Sequence, residues 1–353
     1  MWSSVKKVIL GLVVVIVLLI GGYAIFFYLE ANREIEPHFA GQCEIMKLNG
    51  SSEDIQVDRE RGLAYLSLFD RSSGMSGENV AQGTIARIDL NAEVPVITSA
   101  LISAPEHLHP HGLSLFIDAD GQRYIFVVNH PEDRENGEEA VESFRETEPG
   151  SFAHVETFKN VLLTHPNDLV AVGPREFYVA IDDPRREGNL TNLLHFRGDD
   201  VGISTDDIES GGGINASADG RFVYVAETYA KAIRVFGRSL ADGKLASIRR
   251  INLESAPDNI DIADDGSLVV GAHSNTAALV LHFMTGSDSP SQVLQISTDP
   301  SGNDTVKEIY LNRGEEISAG SVGATYNDLL IIGSITARKI LLCRYDTCPA
   351  ATM

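Results

Sequence analysis

The chain has 353 residues, 43% of them hydrophobic and 22% charged, enough apolar material for a substantial core, which excludes disorder as its general state. Fifty Asp and Glu stand against 28 Lys and Arg, a formal charge of -22, and a protein that binds by neutralising phosphates needs the opposite balance, so nucleic acid is excluded as a partner. The acid surplus is either a solvated, self-repelling surface or, in part, a ligand set for a hard cation such as calcium; position along the chain separates the two.

Val8 to Leu29 is one apolar run without a charge, long enough at about 1.5 Å per residue to cross a hydrocarbon core of about 30 Å. Residues 1–30 therefore read as a transmembrane signal-anchor helix. Lys6 and Lys7 precede it, while Glu30, Glu34 and Glu36 follow; the positive-inside rule keeps the N-terminus cytoplasmic and exports the rest, to the periplasm of a bacterium or the lumen or exterior of a eukaryotic cell. A cleaved signal peptide is the alternative, but Tyr23-Ala24-Ile25-Phe26-Phe27 fits the small-x-small pattern of a cleavage site poorly. Residues 31–39 read as a linker, 40–346 as the folded domain and 347–353 as a tail.

Cys43, Cys343 and Cys348 all fall in the exported part, where disulfides persist. A bridge between Cys43 and Cys343 would join the two ends of the domain; free packed thiols are the alternative, and the odd count leaves Cys348 unassigned. Sequons at Asn49, Asn189, Asn215 and Asn303 carry glycans only in a eukaryotic secretory pathway.

Beyond residue 40 short Val/Ile/Leu/Tyr runs alternate with Asp-Gly and Asn-Asp turns, an all-β pattern. Six segments superpose: DIQVDRERGLAYLSL, GLSLFIDADGQRYIFVV, DLVAVGPREFYVAI, GINASADGRFVYVAE, NIDIADDGSLVVGA and SVGATYNDLLIIGS. Their first apolar residues are Ile55, Leu113, Leu169, Ile214, Ile260 and Val322, at intervals of 58, 56, 45, 46 and 62. Such periods predict a six-bladed β-propeller with four-stranded blades, the longer intervals being insertions. In a propeller the first strand of each blade lines the central channel, so one offset in every repeat converges on the axis. The pairs before the aligned residues are Glu53-Asp54, His111-Gly112, Asn167-Asp168, Gly212-Gly213, Asp258-Asn259 and Gly320-Ser321. Asp and Asn also begin turns for local reasons, but carboxylates and carboxamides at one shared offset form an oxygen-only set that suits calcium, whereas zinc needs His or Cys.

The stretches GSSEDIQVD, HPHGLSLFIDADGQRYIFVVNHP, PNDLVAVGPREFYV, GINASADGRFVYVAE and PDNIDIADDGSLVVGAH, with the terminal LLIIGSITARKILLC, resemble the paraoxonase and arylesterase family over residues 40–346. The resemblance implies a lactonase and esterase with two calcium ions in the channel, an N-terminal hydrophobic anchor and a disulfide closing the ring. Carried over position by position, it gives Glu53, Asn167, Asp258 and Asn259 to the catalytic calcium. Asp54, Asp168 and the carbonyl of Leu113 go to the structural one. It maps the disulfide onto Cys43 and Cys343, and it suggests His111 as general base with His130 as its orienting partner. One family ligand is missing, because Gly212-Gly213-Ile214-Asn215 stands where the family has Asn-Gly-Ile-Asn.

Calcium with an open position stabilises the oxyanion that grows on an ester or lactone carbonyl, and a neutral His activates water near pH 7. Glu53 or Asp258 acting on water is the alternative base. His273, in GAHSN, is a candidate for the pocket wall. His107, His109 and His111 alternate as a zinc strand would, but Pro110 interrupts them. No G-x-S-x-G elbow occurs, which argues against a serine hydrolase. The run Glu132 to Glu148, with eight carboxylates and two arginines, reads as a solvated outer hairpin. Pro184 to Asp200, where Pro-Arg-Arg departs from the family, reads as a specificity loop over the channel. The expected activity is hydrolysis of lactones or aryl esters. The alternatives are a sugar lactonase of the gluconolactonase type, and a non-catalytic calcium-stabilised propeller that binds a partner, which Gly212 favours.

Overall fold

The computed structural model describes residues 2–71, 82–132, 137–182 and 190–346. Cys348, Asn189, residues 133–136 of the acidic run and residues 184–189 of the Pro184–Asp200 segment lie outside them.

Helix α1 (Trp2–Ala31) opens the chain, and its stretch Leu12–Ala31 is long and apolar enough to cross a membrane. Among the described residues the elements that follow are strands, apart from α2 (Thr276–Thr285), which Asn275 caps by accepting from the Ala278 N–H and Gly286 ends in the left-handed region. The sheets are six, as the repeats predict. Blade one holds β3 (Ser51–Asp58), β4 (Leu63–Phe69), β5 (Thr84–Asp89) and β6 (Ile97–Ser99). Blade two holds β7 (Pro110–Ile117), β8 (Arg123–Asn129), β9 (Ala140–Glu148) and β10 (Ser151–Phe158). Blade three runs from β11 (Pro166–Gly173) through β12 (Glu176–Ile181) and β13 (Leu190–Arg197) to β14 (Asp200–Glu209). Blade four runs from β15 (Gly211–Ala216) through β16 (Phe222–Glu227) and β17 (Ala232–Arg238) to β18 (Leu245–Asn252).

The last two blades borrow strands from the start of the chain. Blade five, with β19 (Ala256–Ile262), β20 (Leu268–His273), β21 (Ser291–Thr298) and β22 (Asp304–Asn312), gains β1 (His38–Phe39), from the segment read as a linker, on its outer edge. Blade six has only β23 (Gly320–Tyr326), β24 (Leu329–Ser334) and β25 (Lys339–Tyr345) from the C-terminal end, and β2 (Gly41–Lys47) supplies its fourth strand. Cys43 lies opposite Cys343 in the β2–β25 register, and the two are joined by a disulfide across 300 residues. The ring is thus closed by both a ladder and a covalent bond.

Each blade is apolar on both faces and buries them against its neighbours. Six hydrophobic clusters result, one per blade junction: Ile55 and Leu66 meet Val322 and Ile331 between blades one and six, and Phe126 meets Phe177 between blades two and three. The aligned residues Ile55, Leu113, Leu169, Ile214, Ile260 and Val322 all lie on the innermost strands, at most 2% exposed. The channel's wall is therefore fixed by the blade cores behind it.

Candidate active site

The offset pairs read from the repeats share a backbone device. In every blade the register between the first two strands slips by one residue just before the aligned apolar position: between Ser52 and Ile55, Pro110 and Leu113, Pro166 and Asp168, Gly211 and Ile214, Pro257 and Ile260, and Gly320 and Val322. Each slip is a β-bulge, an extra residue that leaves the ladder and re-aims its side chain. Three inner strands are also entered through a non-glycine residue at positive φ, His165 at 50°, Ser210 at 59° and Ala319 at 52°, a strained conformation that firmly packed neighbours hold in place.

Contacts between bulges run around the ring. Asp54 Oδ2 accepts the Leu113 N–H at 2.8 Å and Asp168 Oδ2 accepts the Ile214 N–H at 2.8 Å, each carboxylate also capping its own following N–H at 2.7 Å. A Cβ on Gly112 would stand 2.2 Å from Asp168 Oδ1, and one on Gly213 would stand 2.5 Å from the Asn259 Cα. Only glycine lets these strands approach. Asn259 Nδ2 donates to Glu53 Oε1 at 2.6 Å and to the Glu53 carbonyl at 2.9 Å, and Ser321 Oγ donates to that same carbonyl at 2.6 Å. The structure therefore brings Glu53, Asp54, Asp168 and Asn259 into one buried ring, with Asn167 and Asp258 on its bulges.

Electrostatically this ring is under-compensated. Burial first and the Asp258 charge second push the Glu53 carboxyl up to about 8, against the pull of Arg71 and of the Asn259 hydrogen bond. Burial likewise pushes Asp54 up to about 7 despite its two backbone donors, and raises Asp168 well above the usual range. Three oxygens in the ring, Glu53 Oε2, Asn167 Oδ1 and Asn259 Oδ1, are buried without a hydrogen-bond donor, although such groups are ordinarily satisfied. An acceptor-only set with surplus negative charge is one that a hard cation satisfies. Among the described residues no three His, Cys, Asp or Glu side chains are spaced to hold a metal by themselves; the donor set here mixes carboxylates with carboxamides and backbone. At the ring position without a family amide, a side chain on Gly212 would meet Thr228 Oγ1 at 2.8 Å, a hydroxyl that donates to the Pro257 carbonyl at 3.0 Å.

The histidines sort themselves by direction. His111 Nε2 is 3.6 Å from Glu53 Oε2, and its ring meets that of His130 edge-on, with centroids 4.8 Å apart at 72°. His109 stacks on Phe69 at 4.6 Å and His107 pairs with Glu132 at 3.4 Å, so the alternating triplet diverges and makes no zinc site. His273 is buried and bonded through Nε2 to Asp258 Oδ2 at 3.0 Å, which makes it the support of an expected ligand. Asn215 Nδ2 donates to the Ile260 carbonyl at 2.7 Å, an amide occupied inside the fold and unsuited to a glycan.

Two features were not anticipated from the sequence. Arg71, just after β4, donates to the Ser51 and Pro110 carbonyls and lowers the Glu53 pKa through its charge. The acidic run is not wholly solvated: Glu139 and Glu142 are buried, Glu139 against His130 and Glu142 against Asn129, His154 and Thr157.

A family model described as Arylesterase matches residues 34–345. The chain belongs to the arylesterase family. Among curated members it is 33% identical over 330 residues to bovine (Bos taurus) serum paraoxonase/arylesterase 2, covering 88% of this chain and 91% of that one. It is 30% identical over 336 residues to human (Homo sapiens) serum paraoxonase/arylesterase 1, covering 89% and 92%, and 31% identical over 333 residues to rat (Rattus norvegicus) serum paraoxonase/lactonase 3, covering 89% and 92%. Solved structures share the fold at 13% identity: a luciferin-regenerating enzyme with a TM-score of 0.53, covering 88% of this chain and 95% of that one, and a putative gluconolactonase with a TM-score of 0.51, covering 87% and 94%. Family, six-bladed architecture and ring-closing disulfide all agree with the sequence reading.

Proposed function

We propose that the protein is a calcium-dependent hydrolase of carboxylic esters, with lactones and aryl esters as its substrate class, held by α1 at the outer face of a membrane. That it is an ester hydrolase follows from membership of the arylesterase family; the names of its relatives support the substrate class. The observation that carries the calcium is the buried set of donor-less oxygens on Glu53, Asn167 and Asn259 beside carboxyls pushed far above their usual range. Glu53, Asn167, Asp258 and Asn259 would hold a catalytic ion. Asp54, Asp168 and the Leu113 carbonyl would hold a structural one. When bound, the catalytic calcium supplies positive charge for the carbonyl oxygen.

The chain's own residues do the rest. His111, 3.6 Å from Glu53 and partly open at the mouth, takes a proton from water, whose oxygen attacks the carbonyl carbon. The acyl C–O bond breaks and the leaving oxygen recovers the proton, so ester and water become acid and alcohol. His130 orients His111, and His273 holds Asp258. The disulfide supports the exported side for the propeller, as does the charge asymmetry about α1.

The test is hydrolysis of a panel of short- and long-acyl lactones and phenyl acetate, before chelation, after it, and with calcium restored. Activity that falls on chelation and returns with calcium is expected. No turnover of any substrate with calcium present overturns the proposal.

A further inference from the structure

Behind the histidine pair lies a carboxylate with no task in the scheme above. Glu139, at the entry to β9, is 8% exposed, and its Oε2 lies 2.6 Å from Nδ1 of His130, which follows β8 and is also 8% exposed. Its neighbours in the acidic run behave otherwise. Glu132 and Glu138 are exposed and reach His107 and Lys159, and Glu142 serves Asn129, His154 and Thr157. Among the described residues of the run, Glu139 is the one hydrogen-bonded to a histidine of the site.

A buried carboxylate is costly unless a strong donor meets it. A carboxylate accepting at Nδ1 requires the proton to be there, which fixes the ring's tautomer and rotamer and leaves Nε2 as the basic nitrogen. The fixed ring is the one whose edge packs against His111 at 4.8 Å.

We propose that Glu139 is a positioning residue of the hydrolytic site: it holds His130 as the Nδ1–H tautomer, sets the ring against His111, and stabilises the imidazolium that forms when the pair shares the proton taken from water. This rests on the roles given above to His111 and His130. It makes the site a carboxylate–histidine–histidine array in which the carboxylate comes from the β8–β9 connection of blade two.

The experiment uses the full chain in detergent with calcium, and compares wild type with Glu139→Gln, Glu139→Asp, His130→Gln and the Glu139→Gln/His130→Gln double variant. Glu139→Gln is expected to lower kcat about 10- to 100-fold, the range for lost supporting carboxylates, with KM little changed. Glu139→Asp should recover much of the loss, and the double variant should be no slower than His130→Gln alone. Nitrogen-15 spectra of labelled histidine should report the Nδ1–H tautomer of His130 in wild type and its loss in Glu139→Gln. Wild-type kcat in Glu139→Gln, multiplying effects in the double variant, or a His130 tautomer that ignores residue 139 each overturns the proposal. Should Glu139→Gln not fold, Glu139→Asp and the wild-type tautomer decide. An inactive wild type sinks the hydrolase reading separately, and the tautomer still decides whether Glu139 holds His130.

Discussion

At the scale of single residues, Glu53 concentrates the site's chemistry. It touches Asn259, Ser321 and His111 from one bulge and is 2% exposed. Glu53→Gln keeps the shape, supplies a donor where a cation needs charge, and is expected to abolish lactone turnover while the thermal transition of the protein stays cooperative; wild-type turnover in this variant refutes the ligand assignment. The same carboxyls give a pH signature to protein stripped of metal. Glu53 and Asp54 have ordinary values of 4.5 and 3.8 and are pushed up to about 8 and about 7 in the fold. The folded state therefore binds more protons than the unfolded chain between those limits, and stability falls as pH rises. In chelator the melting temperature should drop from pH 5 to pH 8, and calcium should flatten the slope. A flat profile in chelator means that these carboxyls do not share a buried ring.

At the scale of elements, the inner strand with its bulge is the unit that makes the site. Alternation and Asp-Gly turns reveal the first two strands of every blade, and the aligned residues from Ile55 to Val322 fall on the inner strands as read. The bulge itself is not legible, because an extra unpaired residue leaves no periodic trace over eight positions. Nor is the pairing of Glu139 with His130, since it joins the two sides of a hairpin whose composition suggests only solvation. The sequence places Gly112 and Gly213 at the shared offset without a reason for glycine there; close approach of neighbouring strands is what excludes a side chain. Gly112→Ala should therefore cost about 1–3 kcal/mol, the usual range for overpacking. Gly202→Ala, where a Cβ meets nothing within 4 Å, should stay within about 0.5 kcal/mol. Denaturant midpoints of the two variants compare them directly, and equal midpoints would remove the close-approach argument.

At the scale of the whole molecule, the ring is a loop whose two ends meet at blade six. β2 completes that blade against β25, and Cys43–Cys343 fastens the pair over 300 residues of chain. In the chain-entropy picture a loop of that length gives a stabilisation of about 6 kcal/mol, acting mainly on the unfolded state. Cys43→Ser with Cys343→Ser is expected to lower stability by up to that amount while leaving the β2–β25 ladder able to close the ring and the lactonase activity measurable below the new transition. The helix contributes differently. α1 hangs outside the propeller and meets it near Asn275, whose amide donates to the Glu30 carbonyl at 2.7 Å. A chain beginning at residue 32 keeps β1, β2 and the disulfide, and should fold to the same melting temperature within a few degrees and no longer partition with membranes. A chain beginning at residue 48 loses the fourth strand of blade six and exposes the edge of β25, including Leu341 and Cys343, which are fully buried in the closed ring. It should aggregate or unfold even with calcium present. If the shorter chain instead melts as the longer one does, closure by β2 is not what holds the propeller, and the six blade junctions alone suffice.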